Sequence, residues 1–201
     1  MGFSLQVQQV MSELEAFGRA HDQQESDRAR KMLNLERETA ELLRAFVLSA
    51  RRKRVLEIGT SNGYSAIWLA STLQNVPGSA PLLTIEKDAG KARSARANFE
   101  KAGLADRIVV LEGSATELVD GLPGPFDCVF FDADRISAPE QLRLLLPKLT
   151  ADALLLADNV LSHPEEISGY LKEFDRLPEF VTTTVPVGKG LHVAVRVDTI
   201  R

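Results

Sequence analysis

The stretch RVLEIGTSNGYSAIWLA, Arg54 to Ala70, decides the fold. Its apolar run Val55-Leu56-Glu57-Ile58 reads as a short buried strand that breaks at Gly59 into a polar turn. The turn closes at Gly63, where an apolar helical pattern resumes. Strand, glycine turn and helix in that order point to a nucleotide site. Without a Cβ, Gly59 and Gly63 let the backbone turn tightly and let a ligand lie against amides at the helix N-terminus. Ser61 and Asn62 are natural capping residues there. The spacing is not the dinucleotide G-x-G-x-x-G, since Ser61 stands between the glycines, and no Gly-Lys-Ser/Thr ending marks a P-loop. Alone, the turn is equally a plain strand-to-helix corner; the residues downstream decide between the two.

Downstream, Leu82-Leu83-Thr84-Ile85 reads as a second strand ending at Glu86. An acidic residue at that strand tip can accept hydrogen bonds from ribose hydroxyls while the first turn holds the rest of a ligand. A helix over Ala89–Ala102 stops at Gly103, and Arg107–Leu111 forms a third strand followed by Glu112-Gly113-Ser114. A short helix over Thr116–Leu122 leads to a fourth strand, Asp127–Phe131, which runs into Asp132-Ala133-Asp134-Arg135. Pro139–Leu149 is helical, Ala153–Ala157 is a fifth strand ending at Asp158-Asn159, and Glu165–Leu177 is a further helix. Phe180–Val187 and Leu191–Val197, joined at Gly188-Lys189-Gly190, read as an antiparallel hairpin. The fold class is therefore α/β: a doubly wound, mostly parallel seven-stranded sheet with helices on both faces and a C-terminal antiparallel hairpin. The first four strands lack polar alternation, as strands covered on both faces should.

Upstream, the chain is helical from Ser4 to about Ala50, with a polar interruption around His21–Asp27. Leu33, Leu42, Leu43, Phe46 and Val47 form one stripe for a core. The cluster Arg51-Arg52-Lys53-Arg54 reads as a solvated helix end. At 201 residues the length suits one domain, and a net charge of −4 gives little reason to expect a nucleic-acid partner. No segment looks like a leader or a membrane span, so the expected location is cytoplasmic. The lone Cys128, in an apolar run, is expected to be a buried small hydrophobe.

In a sheet of this kind ligands bind beyond the carboxyl ends of the strands. Gly59, Glu86, Ser114, Asp132, Asp158 and Asn159 all fall at such ends. Asp132, Asp158 and Asn159 offer two carboxylates and an amide carbonyl, hard oxygen donors suited to Mg²⁺, or to Mn²⁺ or Ca²⁺. The plainer reading makes the two aspartates capping and turn residues.

The stretches VLEIGTSNGYSAIWLA, LLTIEKD, KAGLADRIVVLEGSA, FDCVFFDAD, LLLADNVL and VPVGKGLHVAVRV together resemble the cation-dependent class I S-adenosylmethionine O-methyltransferases, the group of catechol and caffeoyl-CoA methyltransferases with many small bacterial members. The resemblance runs from about Arg54 to Val197. It implies one methyltransferase domain over 1–201, with 1–50 as helices capping the substrate side, and a homodimer. It implies that S-adenosylmethionine would be received by Glu57, Gly59, Ser61, Gly63, Tyr64, Ser65, Glu86, Lys87, Gly113, Ser114, Ala115 and Asp132, with Glu86 on the ribose and Ser114 near the adenine. A divalent cation would be held by Asp132, Asp158 and Asn159 and would take both oxygens of a vicinal diol, most often an aromatic one.

Relatives commonly carry lysine after the DAD, as base or as partner of the reacting oxygen; here the residue is Arg135, and a guanidinium does not readily lose its proton. Arg135 can steady a developing oxyanion. Proton removal then falls to water, to an acceptor activated by the cation, or to His163, so the candidate catalytic set is Asp132, Arg135, Asp158 and His163. Trp68 is expected in the core, and RISAPEQ lacks the tyrosines frequent in relatives. Besides a small hydroxylated acceptor, the resemblance admits a hydroxylated nucleobase of transfer RNA. Arg135 also sustains a third reading, a cofactor-binding or interaction protein that has lost catalysis.

Overall fold

A computed structural model describes residues 2–197, the side chain of residue 29 apart. Helices α1 (Leu5–Gln24) and α2 (Arg37–Ser49) precede β1 (Val55–Ile58), α3 (Tyr64–Leu73), β2 (Leu82–Glu86), α4 (Ala89–Lys101) and β3 (Ile108–Glu112). The short α5 (Ala115–Leu118), β4 (Phe126–Phe131), α6 (Ala138–Leu145), β5 (Leu149–Ala157), α7 (Pro164–Glu173), β6 (Phe180–Val185) and β7 (Leu191–Arg196) complete the order. The seven strands form one sheet in the order β3-β2-β1-β4-β5-β7-β6, parallel through β5 and antiparallel in the last two. The doubly wound sheet with a terminal hairpin is therefore present as the strand pattern predicts. Among the described residues no helix is long and apolar enough to cross a membrane.

Each central strand feeds two cores because successive side chains point to opposite faces. Cys128 and Phe130 of β4 join α1–α4 on one face, while Val129 and Phe131 join α6 and α7 on the other. Helix α3, apolar all round, is buried at every position and forms the floor of the first core. Trp68 lies there at 4.9 Å from the Phe3 ring, edge to face. Cys128 is fully buried, and burial pushes its thiol up to about 12, so it acts as a small hydrophobe.

Four expectations are corrected. The apolar run of β3 does not mark a strand covered on both faces, because β3 is an edge strand and Val109 is 46% exposed. Helix α1 continues through His21 to Gln24, and the break falls at residues 25–36, where the Asp22 carboxylate accepts the amides of Met32 and Leu33 at 2.7 and 2.8 Å. Leu33 consequently sits at φ 49° in that break, exposed, and not on the α2 stripe. In the basic cluster Arg52 is not solvated: it is 6% exposed and pairs with Asp152 at 2.9 Å.

Gly59 sets the geometry at the centre of the sheet. Its φ is +103°, and a Cβ there would lie 2.2 Å from the carbonyl oxygen of Asp132 on β4's continuation. Only glycine lets β1's end pass so close to its neighbour. Gly59→Ala is expected to lower the unfolding free energy by on the order of 3 kcal/mol through backbone strain and the clash; urea unfolding of the variant within experimental error of the parent would refute this close approach.

Candidate functional site

The glycine turn is tied to the two strands beside it. The Gly59 amide donates to the carbonyl of Ile85 at 3.0 Å, and the Gly113 amide to the carbonyl of Glu86 at 2.9 Å. Ser61, at φ 49°, gives its amide to Glu86 Oε2 at 2.8 Å, while Glu86 Oε1 accepts the Asp88 amide at 2.9 Å. Each carboxylate oxygen has a further lone pair for a ligand hydroxyl. Asn62 Oδ1 caps the next turn by accepting the Tyr64 amide at 3.2 Å. Gly63 is needed by the protein's own packing, since a Cβ there would meet the Phe99 ring at 2.4 Å.

Glu57 lies beneath this turn, fully buried. The Thr84 hydroxyl donates to Glu57 Oε2 at 2.6 Å, and Thr60 and Thr84 hydroxyls meet at 2.6 Å. Burial raises the Glu57 carboxyl to about 7, the Ser65 and Thr84 hydroxyls work against this, and the charge of Glu86 adds to it. Ser65 is buried with it. Glu57 therefore supports the turn from below.

The segment between α1 and α2 crosses above the turn. Ser61 Oγ donates to the Met32 carbonyl at 2.8 Å, and Lys91 Nζ to the Lys31 carbonyl at 2.8 Å. The Tyr64 hydroxyl points into α1, where Glu15 Oε1 accepts it at 2.6 Å and also accepts Arg37 Nη2 at 2.6 Å. Tyr64 thus anchors the N-terminal helices through its side chain. Lys87 is exposed beside the tip of β2, and Ser114 opens α5, its carbonyl accepting the amides of Glu117 and Leu118, with Ala115 next to it.

Parallel pairing of β4 with β5, Phe131 opposite Ala157, brings Asp132 and Asp158 side by side. The Asp132 amide donates to the Ile58 carbonyl at 2.9 Å and the Asp158 amide to that of Phe131 at 3.0 Å. Asn159, at φ 66°, turns its amide back so that Nδ2 lies 2.6 Å from Asp158 Oδ2 and 3.5 Å from Asp132 Oδ1. Burial and then the Asp158 charge hold the Asp132 carboxyl well above the usual carboxylate range. Asp158, 4% exposed, is raised to about 6 by burial, with the Glu36 charge adding and the Asn159 backbone N–H, Lys189 and Arg135 opposing. Asp158 Oδ1 is buried without a partner. It lines a cavity of about 10 Å³ with Asp132, Arg135, Gln141 and Asn159, room for one water or ion.

These residues fit a divalent cation. Two crowded carboxylates demand positive charge, one carboxylate oxygen is unpaired, and the Asn159 amide reversed would present its carbonyl oxygen where its NH₂ now stands. Among the described residues no group of three or more His, Cys, Asp or Glu gathers for a metal, and the third donor of such a set would be the Asn159 side-chain amide.

Arg135 lies at the same cavity, its side chain 13% exposed and its Nη1 donating to Glu166 Oε2 at 3.0 Å. His163 stands at the start of α7 with Nδ1 2.8 Å from Ser162 Oγ; burial and the charges of Arg135 and Arg28 push its pKa below the ordinary value. Sequence reading gave no role to Glu36 or Thr84, and it expected Leu161–Glu166 at the pocket rim without singling out Glu166. Glu36 and Glu166 begin helices, where an acidic residue is ordinary, and no local pattern connects either to Asp158 or Arg135. A much larger cavity, about 580 Å³, lies apart from this site between α1, α2 and α3, lined by Phe3, Met11, Arg37, Arg44 and Trp68 among others.

Comparison with known proteins agrees with this geometry. A family model described as O-methyltransferase matches residues 3–176. A catechol O-methyltransferase of Mycobacterium tuberculosis is 38% identical over 113 residues, 54% of this chain and 49% of that protein. One of Niastella koreensis is 36% identical over 113 residues, 54% of this chain and 50% of its own length, so the chain matches about half of each of these relatives. An O-methyltransferase from Bacillus cereus solved in complex with SAH superposes with a TM-score of 0.78 at 26% identity, covering 94% of this chain and 90% of that one.

The buried Glu57 carboxyl generates a pH-dependent expectation. Its folded pKa, about 7, exceeds its unfolded value of 4.5, so the folded state keeps a proton that the unfolded state releases, and stability is lost as pH rises between those values. Glu57→Gln should remove that loss. Urea unfolding at pH 5 and pH 8 is expected to show the variant gaining on the parent by on the order of 3 kcal/mol between the two; a difference independent of pH would mean that Glu57 is charged in the folded protein.

Proposed function

The chain belongs to the O-methyltransferase family, and from that premise we propose that it moves a methyl group from S-adenosylmethionine to one hydroxyl of a catechol-like vicinal diol, with a divalent cation at Asp132, Asp158 and Asn159. One observation carries this reading. The glycine turn and the acidic pair are a single corner of the structure: Gly59 packs on the Asp132 backbone, and Asp132, Asp158 and Asn159 meet directly beside it.

S-adenosylmethionine supplies the methyl as an electrophilic sulfonium, whose S–CH₃ bond breaks as the O–CH₃ bond forms. A divalent cation in the acidic pair supplies charge that favours the deprotonated hydroxyl of the acceptor, an oxygen otherwise largely protonated at neutral pH. The protein's own share is placement. Backbone amides at the α3 N-terminus and the spare lone pairs of Glu86 suit the amino-acid and ribose portions of the methyl donor. Asp132 and Asp158, fixed on adjacent strand ends, set where the diol lies relative to that donor, and such orientation removes much of the entropic barrier. The segment above the turn is held over it by Ser61, Lys91 and Asp22. Arg135 keeps its proton and so is no general base, and the acceptor's proton leaves to solvent.

Chelation by EDTA is expected to abolish methylation of a catechol acceptor and Mg²⁺ to restore it. Asp158→Asn should lower kcat by at least about 100-fold while leaving the apo protein as stable as the parent or more so, because it removes one of two repelling carboxylates. Full turnover after rigorous metal removal, or in the variant, would reject this assignment.

A further inference from the structure

Beside the acidic pair, two guanidinium groups share one carboxylate. Three cations come from three separate segments: Arg28 from the break between α1 and α2, Arg135 from the end of β4, and Lys189 from the turn between β6 and β7. Arg28 and Arg135 share one counter-ion, Glu166, at 3.6 and 3.0 Å. Lys189 pairs with Glu36 at 2.6 Å, and its carbonyl accepts the amides of Leu161 and Ser162, which seats that turn on the loop leaving Asp158 and Asn159. Lys189 is thus matched by Glu36, whereas two guanidinium groups share the one Glu166, with Asp132 and Asp158 left to the divalent cation of the proposed site.

Glu166 is loosely held where it meets Arg28. Its side chain is 38% exposed and that of Arg28 is 53% exposed, and surface pairs of this kind contribute little to stability. Arg135 is the fixed member, its side chain only 13% exposed and its Nε buried without a partner. The guanidinium pair already takes a carboxylate, and its Arg135 member lines the cavity with Asp132 and Asp158.

Resting on the O-methyltransferase reading above, we infer that the acceptor is an anionic diol: a ring whose vicinal hydroxyls lie at Asp132 and Asp158 and whose carboxylate is taken by Arg135 and Arg28 in exchange for Glu166. The exchange keeps the two guanidinium groups paired throughout, and it frees Glu166 to solvent. A socket with a surplus of one charge suits a single carboxylate and lacks the continuous basic track that a polynucleotide backbone requires.

Steady-state kinetics of the full-length protein with S-adenosylmethionine and Mg²⁺ test this, comparing 3,4-dihydroxybenzoate with its uncharged methyl ester. The acid is expected to have at least about a tenfold higher kcat/KM, expressed mainly in KM and diminished by added salt. Arg28→Gln should erode that preference at least about fivefold through KM. Glu166→Gln should move the other way and lower the KM of the acid several-fold, a gain that a merely structural ion pair would not give. Equal use of acid and ester by the parent, or a raised KM for the acid in Glu166→Gln, overturns the inference and leaves the methyltransferase reading standing. A catechol phosphonate used better than the acid overturns the choice of carboxylate. Failure to methylate any of these diols overturns both readings together.

Discussion

The repulsion between Asp132 and Asp158 is the constraint on which the site depends. Parallel pairing of β4 with β5 leaves their carboxylates no freedom to separate, and burial strips away the water that would screen them. The protein relieves the strain with what it has: protons, and the NH₂ of Asn159 laid between the two side chains. Such a pair, with an unpaired buried oxygen on Asp158, suits positive charge, and sheet topology builds it.

Around this pair the structure is arranged in tiers. Gly59 lets β1's end lie against the Asp132 backbone, so the turn that suits a nucleotide-like ligand and the carboxylates that suit a cation share one corner. Beneath, the Glu57, Thr84 and Thr60 side chains form a buried polar chain that braces the turn. Above, the segment after α1 is tied to Ser61 and Lys91 by its own carbonyls. Glu36 and Lys189 then bring the start of α2 and the hairpin turn together at the Asp158 side. Backbone geometry thus fixes the glycine turn relative to the acidic pair.

Much of this was legible in the sequence because it is local. Apolar runs of four to six residues bounded by Gly, Pro and Asp marked the strands, and the polar residue ending each run marked the rim. What the sequence concealed is relational. β3 looks like any buried strand, and only the sheet order makes it an edge with Val109 exposed. Arg52 looks like one of four solvated cations until Asp152, a hundred residues later, covers it. The break between α1 and α2 lies later than its polar residues suggest, because Asp22 folds the chain back through the amides of Met32 and Leu33, an interaction with no periodic signature. Glu36 and Glu166 were not singled out for the same reason. Their partners are distant in the chain, and an acidic residue opening a helix is explained well enough by the helix alone.

The central claim, that the acidic pair is a cation receptor, is tested most directly by its effect on folding, apart from any catalysis. Urea unfolding at pH 8 should show Mg²⁺ or Mn²⁺ stabilising the full-length protein by RT ln(1 + [L]/Kd), about 2.7 kcal/mol at a hundredfold excess over Kd, with Asp132→Asn and Asp158→Asn variants showing little of this gain. Equal stabilisation of parent and variants, or none in the parent at any concentration of either cation, would contradict the account.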